Sequence, residues 1–442
     1  MAINMIGQGC CVLQEYGDPL CLRLDREQVG AIVAQSNHWK TALGLSRNPF
    51  SVEAIGEDIY HLRANGVTGV VRVGDVDIEV APKFVDVADD RWKGVLWKIL
   101  LYAYGGFFDP CQTSADASNQ QVLSDLMAQI FLKSYNRAKT KGLPQRYSVE
   151  YAMGSTLGGS IDYSRLEGWI AEPWSIPFII DLLSQDEPLA VLLSWAALRL
   201  SFVVTDTMTS CALRQASSEL MPHVPRVPNI EEARRIRLGP QYRALHGALD
   251  IALLLLESKG IVYGKGHGFL SGFLWNSDAV YENFMFSICA RAASNNGLTV
   301  SKKTHDFGKV VEGDGPSLIT IPDVVFSTRN GEVFAVADAK YKVFARRPRS
   351  SDTYQLMAAG HILGSSRLAL MYPTSSDFRR TTWEIESNLT SELMMISALS
   401  LNLMSLADSF DISALVSTIE SWLKMETDSA NSGLHLPYMV GS

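Results

Sequence analysis

IPDVVFSTRNGEVFAVADAKYKVF, residues 321–344, sets two apolar runs around Asn330-Gly331 and interrupts them with Asp323, Asp338 and Lys340. Asn-Gly between such runs is a strong hairpin signal, because a type I′ turn needs positive φ at both central residues. With those two residues as the loop, Arg329 faces Glu332, and counting outward places Asp323 opposite Asp338. Directly opposed strand residues hold their Cβ atoms about 4.5–5.5 Å apart, where like charges repel. Side chains alternate along a strand, so Lys340 shares the face of Asp338. Two carboxylates and an ammonium on one patch, flanked by Val324, Val325, Val336 and Ala337, need an offsetting partner. Lys340 supplies part of it. A hard divalent ion supplies more, since Mg²⁺ is held by one or two carboxylates together with substrate phosphate oxygens. Such an ion activates water and neutralises developing phosphorane charge, and a neighbouring lysine orients or deprotonates that water. An Asp-x-Lys triplet on a strand is more often a solvated or structural ion pair, so spacing alone leaves both readings open. The opposition also depends on the loop, since a bulge would shift the register.

At 442 residues the chain is long for one core, and two domains are expected. With 47% hydrophobic and 19% charged residues it reads as globular, neither disordered nor fibrous. A formal charge of −8 argues against a surface coated in nonspecific nucleic-acid contacts but allows a local basic groove. Six scattered cysteines with no C-x-x-C pair fit a reducing compartment without structural zinc. No basic segment followed by an apolar core opens the sequence, so no signal peptide is expected. The most apolar run, 189–204, contains Arg199 and is short for a membrane span, which makes it a buried helix. A cytoplasmic location follows as an expectation.

The first ninety residues read as strands. Residues 66–84 alternate Val71, Val73, Val76, Ile78 and Val80 with polar positions, turn at Gly74-Asp75, and stop at Pro82. From Arg91 the period becomes helical, ending at Gly105, and 126–142 forms a helix whose positive charge rises toward its C-terminus. Residues 142–164 read as turns and short strands, and a domain boundary is placed at about 165. Helical segments are expected around 179–220, and a further helical stretch over 232–258 follows the Pro-rich 221–229. Asn276 or Ser277 caps a helix running to about Ala293 that carries Glu282. After the hairpin come a helix over 351–364 and a strand over 367–373. The order helix, strand, hairpin, helix, strand predicts an α/β core, α+β over the whole chain, with a mixed sheet flanked by helices.

Other chemistry is absent. No phosphate-binding G-x-x-x-x-G-K-[ST] loop, H-E-x-x-H helix or G-x-S-x-G elbow occurs. Basic residues gather at Lys302, Lys303, Lys342, Arg346, Arg347 and Arg349, around the candidate phosphate site, and are candidates for DNA-backbone contacts. The alternative is a solvated loop.

Ile321-Pro322-Asp323 followed by Ala337-Asp338-Ala339-Lys340 resembles the PD-(D/E)xK nuclease pattern. Glu282 stands where that superfamily often has an acid on the preceding helix, and Gln355 where a polar helper lies. VGDVDIEVAPKF (73–84), KGLPQRYSVEYAMGSTLGGSID (141–162) and SDTYQLMAAGHILGSSRLALMYP (351–373), in that order, are similar to the McrC family of nuclease subunits in the McrBC 5-methylcytosine restriction system. The match departs at 158–160, where a basic-glycine-basic turn is replaced by Gly158-Gly159-Ser160.

The resemblance implies a C-terminal restriction-endonuclease-like domain within 166–442, its core at about 260–375, and an N-terminal partner-docking domain over 1–165. It implies a Mg²⁺-dependent DNA endonuclease, with Mn²⁺ an alternative ion. The partner it implies is a hexameric McrB-like AAA+ GTPase that carries the GTP. Double-stranded DNA is the implied substrate, with no membrane involved. By the same resemblance Asp323, Asp338, the Ala339 carbonyl and Glu282 hold the metal, Lys340 positions water or stabilises charge, and Gln355 assists. A standalone repair or mobile-element nuclease, and a noncatalytic adaptor that activates a motor, remain alternatives.

Overall fold

In a computed structural model the chain is described over residues 10–425, apart from 74–75, 90, 105–122, 144, 166–168, 170–172, 186, 222–225, 258–269, 309–317, 345, 377–378, 387–392 and 408–411. Two compact units emerge: one combines 1–104 with 117–120 and 259–442, the other holds 105–116 and 121–258. This differs from a division at 165. The N-terminal strands share a sheet with a strand near residue 270, so the N-terminal hundred residues fold in one unit with the segment that starts at 259.

The first unit opens with β1 (Cys10–Gln14), β2 (Leu20–Arg23) and helix α1 (Arg26–Ala42). Asp25 and Gln28 form a reciprocal capping box that satisfies two otherwise orphaned amides at the start of α1. Then follow β3 (Phe50–Gly56), β4 (Ile59–Ala64), β5 (Val67–Val73), β6 (Val76–Ala81) and α2 (Trp92–Tyr104). Val73 pairs with Val76, so the strands close around the expected two-residue turn, which itself lies outside the described residues. Strands β2, β4 and β3 make an antiparallel sheet. Leu22, Ile32, Trp39, Leu62, Val71 and Val80 join one apolar core.

The second unit contains α3 (Leu123–Lys139), β7 (Gln145–Gly154), β8 (Ser160–Ile161), β9 (Ile176–Gln185), α4 (Glu187–Leu200), α5 (Thr207–Leu220), α6 (Ile230–Arg235) and α7 (His246–Glu257). The apolar run at 189–204 is a largely buried helix as far as Leu200, as its composition predicts, and a turn beyond it. Residues 176–185, by contrast, are a strand and not the start of the helical stretch. IPFIIDLLSQ pairs along its full length with β7, and cross-strand pairing overrides the ambiguity of a short apolar run. The glycine kept from that turn, Gly159, has a steric basis, since a Cβ there would lie 2.0 Å from the Ile179 carbonyl oxygen; at the departing Gly158 a Cβ would meet the Phe178 ring at 2.8 Å. Among the described residues no helix is long and apolar enough to cross a membrane.

The first unit resumes with β10 (Leu270–Asn276), which pairs with β5 to give the sheet order β1-β6-β5-β10. Gly69 makes this possible: its φ is +138° and any Cβ would sit 2.0 Å from the Phe273 carbonyl oxygen. Helix α8 (Ser277–Asn295) starts at Asn276, whose side chain accepts from the amides of Asp278 and Ala279. After β11 (Thr299–Ser301), β12 (His305–Gly308) and β13 (Leu318–Thr320) come the hairpin strands β14 (Val324–Ser327) and β15 (Val333–Ala339). Helix α9 (Ser350–Leu363) ends at Gly364, whose φ of +68° is the left-handed cap position. It leads to β16 (Arg367–Thr374), β17 (Arg379–Glu386), β18 (Leu393–Asn402) and α10 (Ser413–Leu423).

These strands form a six-stranded sheet, β11-β14-β15-β16-β18-β17, parallel at β15–β16 and β16–β18 and antiparallel elsewhere. One face packs Val336, Leu368, Leu370 and Ile396 against Leu356 and Ala359 of α9. The other meets α8 and α10, where Cys289 lies 3.7 Å from Met371 and the Phe326 ring 5.8 Å from that of Trp422. The expected mixed sheet with helices on both faces is present. Beyond 374 the described residues add β17, β18 and α10, which no motif announced.

Candidate active site

The hairpin reaches the expected register by a different route. Val324 pairs with Ala337, Val325 with Val336 and Phe326 with Ala335, which puts Asp323 across from Asp338. The loop is not a two-residue type I′ turn. The Thr328 amide donates to Glu332 at 2.8 Å and the Gly331 amide to Thr328 at 3.0 Å. Gly331 alone of the Asn-Gly pair has positive φ, +87°. Arg329 therefore does not face Glu332. The loop is longer, and the register shift between Phe326 and Ser327, with Phe334 as the extra residue of β15, restores the pairing.

Asp323 precedes β14 and Asp338 lies within β15; both are buried, 8% and 6% exposed. Asp323 is fixed by accepting the Ala339 amide at 2.9 Å, so Ala339 contributes its N–H to this arrangement. Asp338 forms an ion pair with Lys340. Burial, followed by the charge of Asp323, raises the Asp338 carboxyl to about 6 despite Lys340. Burial works against the Lys340 ammonium, yet Asp338 holds its pKa above the ordinary lysine value. Its Nζ also approaches the side-chain amide oxygen Oε1 of Gln355 in α9 at 3.4 Å. Glu282, one turn into α8, joins from the other side through Lys302, whose Nζ is 2.8 Å from Glu282 Oε2 and 3.1 Å from Asp323 Oδ1. The Glu282 carboxyl is raised, mainly by burial and further by Asp323, with Lys302 opposing.

Five expected residues, Glu282, Asp323, Asp338, Lys340 and Gln355, thus form one connected cluster. The basic residues divide. Arg346, Arg347, Arg349 and Lys303 are exposed. Lys342 is committed instead to Asp352, 2.9 Å from both carboxylate oxygens, and anchors the start of α9. Lys302 is engaged inside the acidic cluster.

One partner set escaped the sequence reading. Tyr341, next to Lys340, is buried and donates its hydroxyl to Glu15 at 2.7 Å. Lys83 lies 3.8 Å from the centre of its ring and Phe84 meets it edge-on at 6.1 Å. Burial pushes the Glu15 carboxyl to about 7, against Lys83, Tyr341 and Ser277, and lowers the Lys83 pKa. Lys83 and Phe84 therefore clamp the residue that follows Lys340. The only signal was the place of Lys83 and Phe84 in the 73–84 stretch.

The donor chemistry suits a hard cation. Asp323 and Asp338 offer oxygen ligands from opposed strand positions. Among the described residues no three His, Cys, Asp or Glu side chains converge closely enough to cage an ion on their own. Two opposed carboxylates are within what Mg²⁺ asks of a protein, since it takes one or two carboxylates and fills its other positions from water and phosphate.

The family model described as "McrBC 5-methylcytosine restriction system component" matches residues 62–373. Among solved structures, a chain of the Thermococcus gammatolerans assembly of McrB AAA+ hexamers with bound McrC aligns with a TM-score of 0.59 and 16% identity, covering 93% of this chain and all of that one. A chain of the Thermococcus gammatolerans McrBC complex aligns at 0.48 and 15%, covering 64% and 88%. At 16% identity the first of these likenesses is one of fold alone. No curated protein matches the sequence. The family match spans well over half of the chain and includes every residue of the acidic cluster, so the chain belongs to the McrBC 5-methylcytosine restriction system component family.

Proposed function

We propose that this chain is the DNA-cleaving subunit of a McrBC-type, modification-dependent restriction system, a Mg²⁺-dependent endodeoxyribonuclease of the PD-(D/E)xK type acting in the cytoplasm. The observation that carries this reading is the opposition of two buried acids, Asp323 and Asp338, beside Lys340. Asp323 takes up the Ala339 amide, but that bond does not require a second acid opposite it. A divalent ion bound there supplies Lewis-acid activation of water and neutralises charge on the phosphate. Asp323, Asp338 and the Ala339 carbonyl would hold it, and Glu282, which Lys302 bridges to Asp323, would be a further ligand once that lysine gives way. Lys340, kept charged by Asp338, is a poor proton acceptor at neutral pH and serves as a cation that steadies charge on the phosphoryl oxygens. Gln355 fixes the direction of the Lys340 side chain.

The partner in this reading is a hexameric McrB-like AAA+ GTPase, which binds GTP and recognises the modified base. The chain itself carries no phosphate-binding loop. The test is a cleavage assay on modified and unmodified plasmid with Mg²⁺, with and without the partner. Cleavage of modified plasmid that needs the partner and disappears with Asp338→Asn supports the reading. Cleavage without the partner favours a standalone nuclease. Absence of cleavage with partner, GTP and Mg²⁺ present favours a noncatalytic activator.

A further inference from the structure

Two ammonium groups neutralise the acidic cluster, and they differ in how they are held. Lys340 extends from the end of β15, with its side chain 15% exposed. Lys302 follows the edge strand β11 in a stretch without regular structure, and its side chain is 37% exposed. Its Nζ lies between Glu282 of α8 and Asp323 before β14, carboxylates on different elements that no other cation bridges among the described contacts. One ammonium within 3.1 Å of both offsets their repulsion in the way a divalent ion would. Both cannot occupy that position, because each needs the same carboxylate oxygens.

We infer that Lys302 is a built-in counter-ion that occupies the seat of a divalent cation between Glu282 and Asp323 and swings out when the ion binds. The inference rests on the reading of these acids as ligands of the ion. It assigns Lys302 a role other than contact with DNA. The flexible four-carbon stem and its partial exposure permit the exit, whereas Lys340 stays as the fixed charge. Metal-free protein then keeps its acids neutralised, and ion binding is weakened by competition from the lysine.

The test uses the full chain and Mn²⁺, with affinity read by titration calorimetry and electron paramagnetic resonance. Wild type should bind Mn²⁺, and Asp338→Asn should lose that binding. Lys302→Met should tighten binding about tenfold, within the range that groups around a metal ligand command. Lys303→Met, which removes the adjacent charge but no bridge, should change it less than about twofold, since exposed charges are screened. Without metal, Lys302→Met should melt below wild type, and Mn²⁺ should remove the difference. Should Lys302→Met misfold, acetylation of Lys302 in wild type, followed by peptide mass spectrometry, gives an independent readout: Mn²⁺ should increase it. Asp338-dependent Mn²⁺ binding that Lys302→Met leaves unchanged or weaker, or that Lys303→Met tightens equally, would overturn this inference alone. No Mn²⁺ binding by any variant would overturn the ion assignment and this inference with it.

Discussion

Glu15 and Asp338 are buried acids in the same compact unit, one beside each of its larger sheets. Burial is the main reason that both are raised, Glu15 to about 7 and Asp338 to about 6. Their company differs. Glu15 receives the hydroxyl of Tyr341 and sits near Lys83, among aromatic rings. Asp338 faces another acid and pairs with an ammonium at the edge of a partly open cluster. Burial therefore does not separate a structural acid from a reactive one. An acid met by a neutral donor is a tether, holding Tyr341 and so the chain around Lys340. An acid set against an acid calls for a cation.

The largest effect should come from breaking that contrast directly. Asp338→Asn should reduce cleavage at least about 1,000-fold, within the range for a group that acts in the chemical step. It should also leave metal-free thermal stability equal to or above wild type, because one repelling charge is gone. Glu15→Gln should lower cleavage less than about tenfold, because an amide oxygen still accepts from Tyr341. Equal losses in the two variants would mean that both acids serve one role.

Next in size is the tie between the N-terminal sheet and the rest of its unit. Gly69→Ala drives a methyl group into the Phe273 carbonyl and strains a φ of +138°. A cost of about 3 kcal/mol or more is expected in urea unfolding, from a clash that backbone cannot relieve cheaply. Cleavage should fall with it, since β10 leads into α8 and Glu282. Unchanged stability would show that β5 and β10 are not held this closely.

The third contrast is one of pH. The folded Glu15 carboxyl is raised from 4.5 to about 7, so the folded chain keeps a proton that the unfolded chain has released. Its contribution is fully present below pH 4.5 and is lost as pH rises through 7. The change is about 3 kcal/mol, at 1.36 kcal/mol per pH unit. Glu15→Gln carries no proton, so its stability should decline less between pH 5 and 7.5 than that of wild type. Parallel urea-unfolding profiles would remove Glu15 as the source.

What the sequence disclosed follows the range of the interactions involved. The helix at Ser277 was legible because its cap is local, with Asn276 two and three residues from the amides it receives. The mixed sheet was legible from the order of elements, and the Asp323–Asp338 opposition from a single hairpin. Glu15, Lys83 and Tyr341 were not: they meet across hundreds of residues, and no spacing rule connects them. Lys302 read as a surface cation because its partners, though only about 20 residues away on either side, sit on other elements, on α8 and before β14. Strand β9 was mistaken for helix because IPFIIDLLSQ has no clear period, and only pairing with β7 settles it.

The smallest effect tests the turn. Asn-Gly correctly located the hairpin, yet only Gly331 adopts positive φ. Gly331→Ala should cost about 1 kcal/mol, purely from backbone strain, because no atom lies within 4 Å of the added Cβ. Asn330→Ala should stay within about 0.5 kcal/mol of wild type, as expected for an exposed position without special φ. In a type I′ turn both positions would suffer. Cleavage should be indifferent to either change: the bulge at Phe334 and the parallel pairing of Val336–Ala339 with Leu368–Met371 hold the register independently of the loop. If Gly331→Ala abolished cleavage while the chain stayed folded, the opposed acids would owe their alignment to the loop.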